Sequence, residues 1–387
     1  MLAGVVKLGN PTNVGFSGAA VRSRLSAMAD RERARSRCRE RLETLAAAGL
    51  GADEARQEAI VELRRVVGFE RWCWPLTDPD SALSMSGIGE VDFWPSIARL
   101  VALEHGGDVT SKPSLLAGPR ASVALSEATR GDLAVSRRWR ECLHPYGIGD
   151  ELMTACRDRH GCWGTVELVR DSDDIRFDED DQRLLHDLSP ALGTLLRRGL
   201  VRGWPPRSEQ TPPPPPGTLI LDAELRPKSW TPPFREWLAE LPPSGPDPNA
   251  LPPAVYEIGA RALAPPGGPA SLPDRVRIRA PSGRWSVIEG APLEGTDPWQ
   301  VAITVRAATT DEVFDILCRV HDLTRREREL VTLTLGGLAT EQLARALYIS
   351  PHTVKDHFKA IFAKTGIRSR HELISHLTGC DNIPASS

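Results

Sequence analysis

Residues 323–379 have the sequence LTRRERELVTLTLGGLATEQLARALYISPHTVKDHFKAIFAKTGIRSRHELISHLTG, and start and stop signals divide this stretch into four helices. Thr324 and Glu327 have the spacing of a capping box, in which the two residues satisfy each other's unpaired backbone amides. The glycine pair at 336–337 is expected to end this first helix. Thr340 is predicted to cap the second helix.

The third helix has equally clear limits. Ser350 is a favourable cap, and Pro351 follows it at the position where a missing backbone amide has no cost. Gly366 is expected to end the helix in a left-handed conformation, and Ser369 with Glu372 repeats the capping-box spacing for a fourth helix. Two short helices joined by a tight turn predict a helix-turn-helix.

The predicted third helix, 351–365, has two faces of different chemistry. One face is an apolar stripe at helical spacing, formed by Val354, Phe358, Ile361 and Phe362. The opposite face is polar and rich in hydrogen-bond donors, and it carries His352, Lys355, Asp356 and Lys359. A polar helix face of this size fits the major groove of DNA.

The chemistry of these side chains suggests individual roles on DNA. Lys355 and Lys359 can donate to guanine or to phosphate, whereas Asp356 can accept from a cytosine amino group. Thr353 lies in the first turn, where the helix dipole favours a phosphate oxygen. Arginines beyond the helix suit flanking phosphates. The candidate DNA contacts are therefore His352, Thr353, Lys355, Asp356, Lys359, Arg368 and Arg370.

The string LTRREREL, continued by GLATEQLARALYISPHTVKDHFKAIFAKTGIRSR, strongly resembles the LuxR-type helix-turn-helix domain of bacterial transcription regulators. The resemblance implies that Thr353, Lys355, Asp356 and Lys359 lie at or near DNA-contacting positions. Asp356 replaces an apolar residue common in this family, which puts base preference there in question. The fourth helix often pairs two protomers in the family, and this implies a homodimer interface of Leu373, Ile374 and Leu377. Leu373 and Leu377 can equally pack inside the domain.

The 387 residues exceed one typical domain, and proline marks the boundaries. Of 33 prolines, 23 lie between Pro205 and Pro298, and five are consecutive at 212–216, where they predict a stiff spacer. The predicted organisation is a segment without regular structure at 1–21, an α+β module at 22–203, a linker at 204–216, a smaller α+β module at 217–308, a linker helix at 309–322 and an all-α four-helix domain at 323–387.

The first module resembles a GAF-like α/β sensor in the strings RRVVGFERWCWPLTDPD, GDLAVSRRWRECLHPYGIGDEL and HGCWG, and the middle module resembles a PAS domain more faintly. Both folds cup small ligands against an antiparallel sheet, so the resemblance implies that the chain senses an unknown small molecule. Four tryptophans near the predicted strands are candidates for the pocket, although aromatic residues at such positions are commonly core residues. They are Trp72, Trp74, Trp94 and Trp163.

Two other interpretations compete with DNA recognition by the third helix. Cys156 and Cys162 suggest a GAF-type thiol enzyme or redox sensor, but a four-residue hairpin loop at 158–161 would place them on opposite faces of the sheet. A helix at 22–41, with eight arginines against three acids, could contact nucleic acid or an acidic partner instead. Cys156, His160 and Cys162 could bind a metal, but no fourth ligand is evident, and we expect no catalytic residue, metal or cofactor.

The net charge of −3 hides a gradient, because residues 323–387 sum to +3 and the remainder to −6. The sequence lacks a signal-peptide core and a membrane span, and seven scattered cysteines suit the reducing cytoplasm. Translation starts at Met1 or at Met28. The chain is therefore expected to be a cytoplasmic, non-enzymatic transcription regulator that binds double-stranded DNA as a dimer. RNA polymerase is a further candidate partner.

Overall fold

A computed structural model of the chain describes residues 18–91, 94–202, 212–242, 251–264, 272–295 and 299–378. The helices are α1 Gly18–Ala47, α2 Ala52–Val66, α3 Ile97–His105, α4 Lys112–Ala117, α5 Leu125–Ala128, α6 Glu179–Arg202, α7 Pro232–Glu240, α8 Pro253–Leu263, α9 Thr310–Val320, α10 Arg325–Leu335, α11 Thr340–Ala346, α12 Pro351–Thr365 and α13 Arg370–Thr378. The strands are β1 Arg71–Thr77, β2 Ser84–Gly89, β3 Ser122–Ala124, β4 Ile148–Asp158, β5 Gly161–Asp171, β6 Gly217–Leu221, β7 Pro227–Trp230, β8 Arg275–Arg279, β9 Trp285–Pro292 and β10 Val301–Ala307.

The first five strands form one antiparallel sheet in the order β2-β1-β5-β4-β3. The leucines of α6 are buried, as their helical spacing predicts, and α6 packs against β4. Ser189 donates to the Ala155 carbonyl over 2.6 Å. A Cβ on Gly193 would lie 2.7 Å from the Arg157 carbonyl carbon, so only glycine permits this close crossing of helix and strand.

The predicted β4–β5 hairpin is present, but its loop is shorter than expected. Asp158 pairs with Gly161, which leaves a two-residue turn, and Arg157 pairs with Cys162 as predicted. A β-bulge then pairs Cys156 with Gly164, not with Trp163. Cys156 joins the main hydrophobic core, whereas Cys162 belongs to a separate small cluster with residues such as Met153. Burial raises the pKa of both thiols, which disfavours the reactive thiolate.

Three of the tryptophans proposed for a ligand pocket are core residues. Trp74 and Trp163 are fully buried and Trp72 is nearly so, all within the main hydrophobic core. The Trp163 indole donates to Asp158 over 2.9 Å. These three positions therefore act in packing, because the large apolar rings supply the core on which the sheet and helices assemble. The side chain of Trp94 lies outside the described residues.

The arginine-rich helix predicted at 22–41 is part of α1, which begins at Gly18, within the segment expected to lack structure. Residues 1–17 lie outside the described residues. Helix α1 packs against α2 and α6. Arg35 and Arg39 donate to backbone carbonyls of α6, at Asp180 and Asp187. At least these two arginines therefore hold helices together.

In helix α2, Gly51 occupies the cap position, and Asp53 lies inside the first turn. There it pairs with the buried Arg56 over 2.5 Å and still places a negative charge at the positive end of the helix dipole.

The remaining strands form a second antiparallel sheet in the order β7-β6-β10-β9-β8. Helices α7 and α8 pack against it and bury Trp237 and Ile258. The Trp237 indole donates to the carbonyl of Pro215, which fastens the end of the proline run to this sheet. Residues 203–211, which include the first part of the linker, lie outside the described residues.

Helix α9 occupies the predicted linker-helix segment and starts with a capping box of Thr309 and Glu312. It contacts α6 of the first sheet's layer and α13 of the C-terminal helices. Arg277 of β8 binds Asp78 and Asp80 after β1 over 2.6 Å each. The two sheets are thus joined by specific polar pairs, and α9 packs against both the first module and the C-terminal helices.

Candidate nucleic-acid interface

Helix α10 begins as its sequence predicts. Thr324 accepts from the Glu327 amide, and the Glu327 carboxylate accepts from the Thr324 amide over 2.7 Å, which completes the capping box. Lys364 of α12 also binds Glu327 over 2.7 Å and donates to the Asp322 carbonyl. Burial alone would raise the pKa of Glu327, but Lys364 and the Thr324 donors outweigh it and lower that pKa. The cap therefore also fixes α12 against α10.

Helix α11 and the turn that follows it determine where α12 begins. Thr340 is the first helical residue and not the cap; Ala339 holds the cap position, and its amide donates to the Gln342 side chain over 2.7 Å. Tyr348 has a φ of +53°, a conformation costly for a residue with a Cβ, and its side chain is 95% exposed. Ser350 then caps α12 by accepting from the Thr353 amide over 3.0 Å.

The apolar face of α12 is the side that packs, as predicted. Val354 and Ile361 are completely buried, and Phe358 is nearly so. Phe358 and Phe362 stack with ring centroids 5.8 Å apart. Gly366 ends the helix with a φ of +75°. This burial fixes the rotation of α12 about its axis and so decides which side chains point outward.

The outward face carries the polar residues proposed for DNA contact. Lys355 and Lys359 are exposed, and neither forms an ion pair with any residue that the structure describes. His352 and Asp356 are also exposed, with the imidazole 3.7 Å from the carboxylate. Thr353 is half-buried, and its hydroxyl lies 2.9 Å from that of Ser350. Four adjacent positions on one helix thus present donors and one acceptor to solvent.

The two arginines proposed for flanking phosphates have different environments. Arg368 is exposed. Arg370 donates to the carbonyl of Leu338 and lies over the Phe358 ring, 5.7 Å from its centroid. Burial lowers the pKa of Arg370. Its guanidinium therefore ties α13 to the α10–α11 turn in this structure, and Arg368 is the better placed of the two for a phosphate.

The proposed dimerisation residues do not share one exposed face. Leu373 is completely buried, in the helix that packs against α9, and this matches the alternative in which it packs inside the chain. Ile374 is half-buried. The side chain of Leu377 lies outside those described. An interface formed by Leu373 would require the contacts that bury it to open.

Two residues that position α12 were not evident from the sequence. Lys364 lies on α12 itself but points toward Glu327. Arg326 of α10 donates to the Leu347 carbonyl just before the turn. Both are charged residues, and charge alone suggested exposure. The sequence signal that could have found Lys364 is its place outside the polar stripe of α12.

Comparison with known proteins matches the region that contains these helices. Residues 321–377 fit the family described as bacterial regulatory proteins, luxR family. The spore germination protein GerE of Bacillus subtilis is 34% identical over 55 residues, which are 14% of this chain and 74% of GerE. The transcriptional regulatory protein FixJ of Rhizobium meliloti is 34% identical over 67 residues, 17% of this chain and 33% of FixJ.

Other relatives are larger than the matched region. A protein of Mycobacterium tuberculosis that is named as an HTH-type transcriptional regulator is 40% identical over 52 residues, which are 13% of this chain and only 6% of that protein. The similarity covers most of GerE, but only a third of FixJ and a small part of the mycobacterial protein, and in every case a small part of this chain.

Proposed function

Because the chain belongs to the luxR family of bacterial regulatory proteins, we propose that it regulates transcription by sequence-specific binding of α12 in the major groove of DNA. The observation that carries this proposal is the outward face of α12. Lys355 and Lys359 lie there without an ion-pair partner among the described residues, while the opposite face is buried. A helix held rigidly by one face and donor-rich on the other suits groove entry.

The individual roles follow from position on the helix. Thr353 and Arg368 serve phosphates, the first near the positive end of the α12 dipole and the second beyond its C-terminus. Lys355 and Lys359 bind guanine edges or phosphates, and Asp356 accepts from a cytosine amino group. His352, beside Asp356, orients that carboxylate. Asp356 restricts base preference because its carboxylate repels a hydrogen-bond acceptor on the base that it faces.

We further propose that the two α+β modules, which resemble GAF and PAS domains, respond to a small molecule and alter the population of the DNA-competent state. Support comes from the contacts that link the first module to the end of α9 and to the turn before α10. Arg159 of the β4–β5 hairpin binds Asp322 over 2.5 Å, and Arg197 of α6 donates to the Val320 carbonyl over 3.0 Å. A change in the first module can therefore reach α10 through the end of α9.

A homodimer on a near-palindromic site remains part of the proposal. Its interface would use Ile374 and the end of α13, since Leu373 is covered. The thiol-enzyme alternative has little support, because Cys156 and Cys162 are buried on different faces of the sheet and hold their protons.

The direct experiment is selection of genomic fragments by the purified full chain. We expect the bound fragments to share one near-palindromic motif. The matched control is the Asp356→Ala variant, which keeps both lysines and should select a motif relaxed at one base position in each half. Fragments with no shared motif, bound equally by both proteins, would show that the chain binds DNA without reading its sequence.

A further inference from the structure

A cavity of about 40 Å³ lies between the first sheet, α3 and α8. It therefore sits where the first module meets the middle module. Most of its wall is apolar, and the charged side chains on its wall are Lys112, Glu167 and Glu257. The apolar wall includes Met85, Val91, Ile97, Leu100, Val101 and Pro253.

The charged part of the wall is a buried cluster centred on one ammonium. Lys112 Nζ lies 3.3 Å from Glu104 Oε2, 3.2 Å from Glu167 Oε1 and 4.0 Å from Glu257 Oε1. The three glutamates are at most 5% exposed and Lys112 is 9% exposed. One cation therefore faces three carboxylates in an environment of low dielectric constant, where an unbalanced charge is expensive.

Neighbouring charges do not restore the balance. Arg138 is paired with Glu151, so these two cancel. Arg261 approaches the cluster from α8, but it donates to the carbonyls of Ser81 and Pro273 and also faces Asp274. Burial lowers the pKa of the nearby His105, which favours its neutral form. The cluster thus keeps an excess of negative charge.

The three glutamates differ in the hydrogen bonds that their carboxylate oxygens accept. Both oxygens of Glu257 accept from Ser84, through its amide and its hydroxyl, over 2.6 Å each. Glu104 accepts from the amide and the ammonium of Lys112. Glu167 Oε1 accepts no hydrogen bond from the described residues, although Lys112 lies at ion-pair distance. Glu167 and Glu257 both line the cavity, and of these two only Glu167 has an oxygen that accepts no hydrogen bond from the described residues.

The protonation states agree with this geometry. Burial raises the pKa of Glu167 to about 7, against the opposing effect of Lys112. Burial would lower the pKa of Lys112, but the three carboxylates outweigh it and raise that pKa well above its ordinary value. Lys112 is therefore a fixed cation and a poor nucleophile. A cation placed beside Glu167 would favour ionisation of that carboxyl.

We propose that this cavity binds a small acyclic organic cation, an alkylammonium or a guanidinium, whose charged end pairs with Glu167 and whose short carbon chain lies against the apolar wall. The size argues against a ring, since a cavity that holds benzene measures about 150 Å³. Three carboxylates around one ammonium repel an anion. The inference rests on the small-molecule response in the proposed function and gives that small molecule a chemical class.

The position of the cavity explains how such a ligand would affect the arrangement of the two modules. Glu167 and Lys112 belong to the first module, whereas Glu257 belongs to α8 of the middle module. A bound cation reduces the repulsion between carboxylates from both modules. It therefore stabilises the arrangement in which α8 lies against β2 and α3.

Binding can be tested on the full chain with three probes of nearly equal size and different charge: ethylammonium chloride, ethanol and sodium acetate. Ionic strength is matched with sodium chloride. We expect ethylammonium to bind in calorimetry at pH 8 with a Kd no better than about 1 mM, the limit for so few atoms, and to raise Tm. Ethanol and acetate should do neither. Equal Tm increases from ethanol and ethylammonium, or no binding of ethylammonium, would overturn the proposal.

The Glu167→Gln variant locates the site, and Glu58→Gln on an exposed face of α2 is the matched control. We expect Glu167→Gln to weaken ethylammonium binding at least tenfold and Glu58→Gln to leave it unchanged. Unchanged binding by a folded Glu167→Gln protein would contradict the assignment. If that variant does not fold, the comparison of ethylammonium, ethanol and acetate on the unaltered chain still tests the proposal. Neither assay uses DNA, so failure of the amine site and failure of DNA binding are separate results.

Discussion

Lysines occupy opposite environments in two regions of this molecule. Lys112 is buried among three carboxylates, within 3.2–4.0 Å of each. Lys355 and Lys359 are exposed on α12, with no ion pair to the described residues. Both arrangements follow from packing, because α4 directs its lysine into the interior and the apolar stripe of α12 directs its lysines outward. The same side chain is satisfied internally in one region and available to a partner in the other.

Because of this difference, the buried charges contribute to the stability of the fold, whereas the exposed lysines contribute to binding. Removing a partner from a buried charge cluster leaves an uncompensated charge, which is costly. Removing an exposed lysine costs the fold little, because water already solvates it. Substitutions in the first region should therefore change the free energy of unfolding, and substitutions of the exposed lysines on the outward face of α12 should change only the affinity for DNA.

The largest effect is expected from Arg138→Met beside the buried cluster. Arg138 pairs with Glu151 and donates to Thr110, and both members of the pair are almost completely buried. We expect the free energy of unfolding to fall by about 3–5 kcal/mol in urea denaturation. Arg120→Ala, which removes an exposed pair with Glu127, is the control and should cost less than about 1 kcal/mol. Similar losses in the two variants would remove the distinction between the regions.

A smaller effect is expected from Glu327→Ala, which changes the support of α12 and not its outward face. The carboxylate caps α10 and binds Lys364, so we expect a loss of about 1–3 kcal/mol at pH 7. The folded pKa of Glu327 is lowered, so its contribution is present above the ordinary value of 4.5 and is lost as pH falls through the folded pKa. The difference in unfolding free energy between the two proteins should therefore shrink below pH 4.5. A constant difference down to pH 2.5 would contradict the assigned role of the carboxylate.

The smallest effect is expected from Arg159→Ala, at the point where the first module meets the C-terminal helices. The pair with Asp322 is largely exposed, and His160 also lies 2.9 Å from that carboxylate. We expect the free energy of unfolding to fall by no more than about 1 kcal/mol, so the decrease in Tm should be correspondingly small. A decrease as large as that of Arg138→Met would show that this pair supports the fold.

The helix-turn-helix was largely predictable from sequence because its signals are local. Capping pairs, the Ser350-Pro351 start and the stop at Gly366 all act within a few residues, and the structure contains them. The apolar stripe of α12 likewise predicted its buried face. The error at Thr340 was a single position, because Gln342 can bind the amide of Ala339 without a polar cap residue.

The rest of the molecule depends on contacts between residues distant in sequence. Glu167 and Glu257 reach Lys112 only after two sheets and α8 have assembled, so spacing gave no indication of the cluster. Arg370 suggested a phosphate contact because it is charged, yet it packs over Phe358. Trp74 suggested a pocket because it is aromatic and near strands, yet the core surrounds it completely.

The most direct test of the central claim is the salt dependence of DNA affinity for the full chain and its Lys355→Ala/Lys359→Ala variant, with Lys228→Ala on exposed β7 as the control. We expect the double variant to bind its selected fragment at least tenfold more weakly, with the slope of log K against log salt reduced by about one for each phosphate that it no longer neutralises. Its Tm should stay within about 1 °C of the parent, since both lysines are exposed. Unchanged affinity and slope in a folded double variant would contradict DNA recognition by α12.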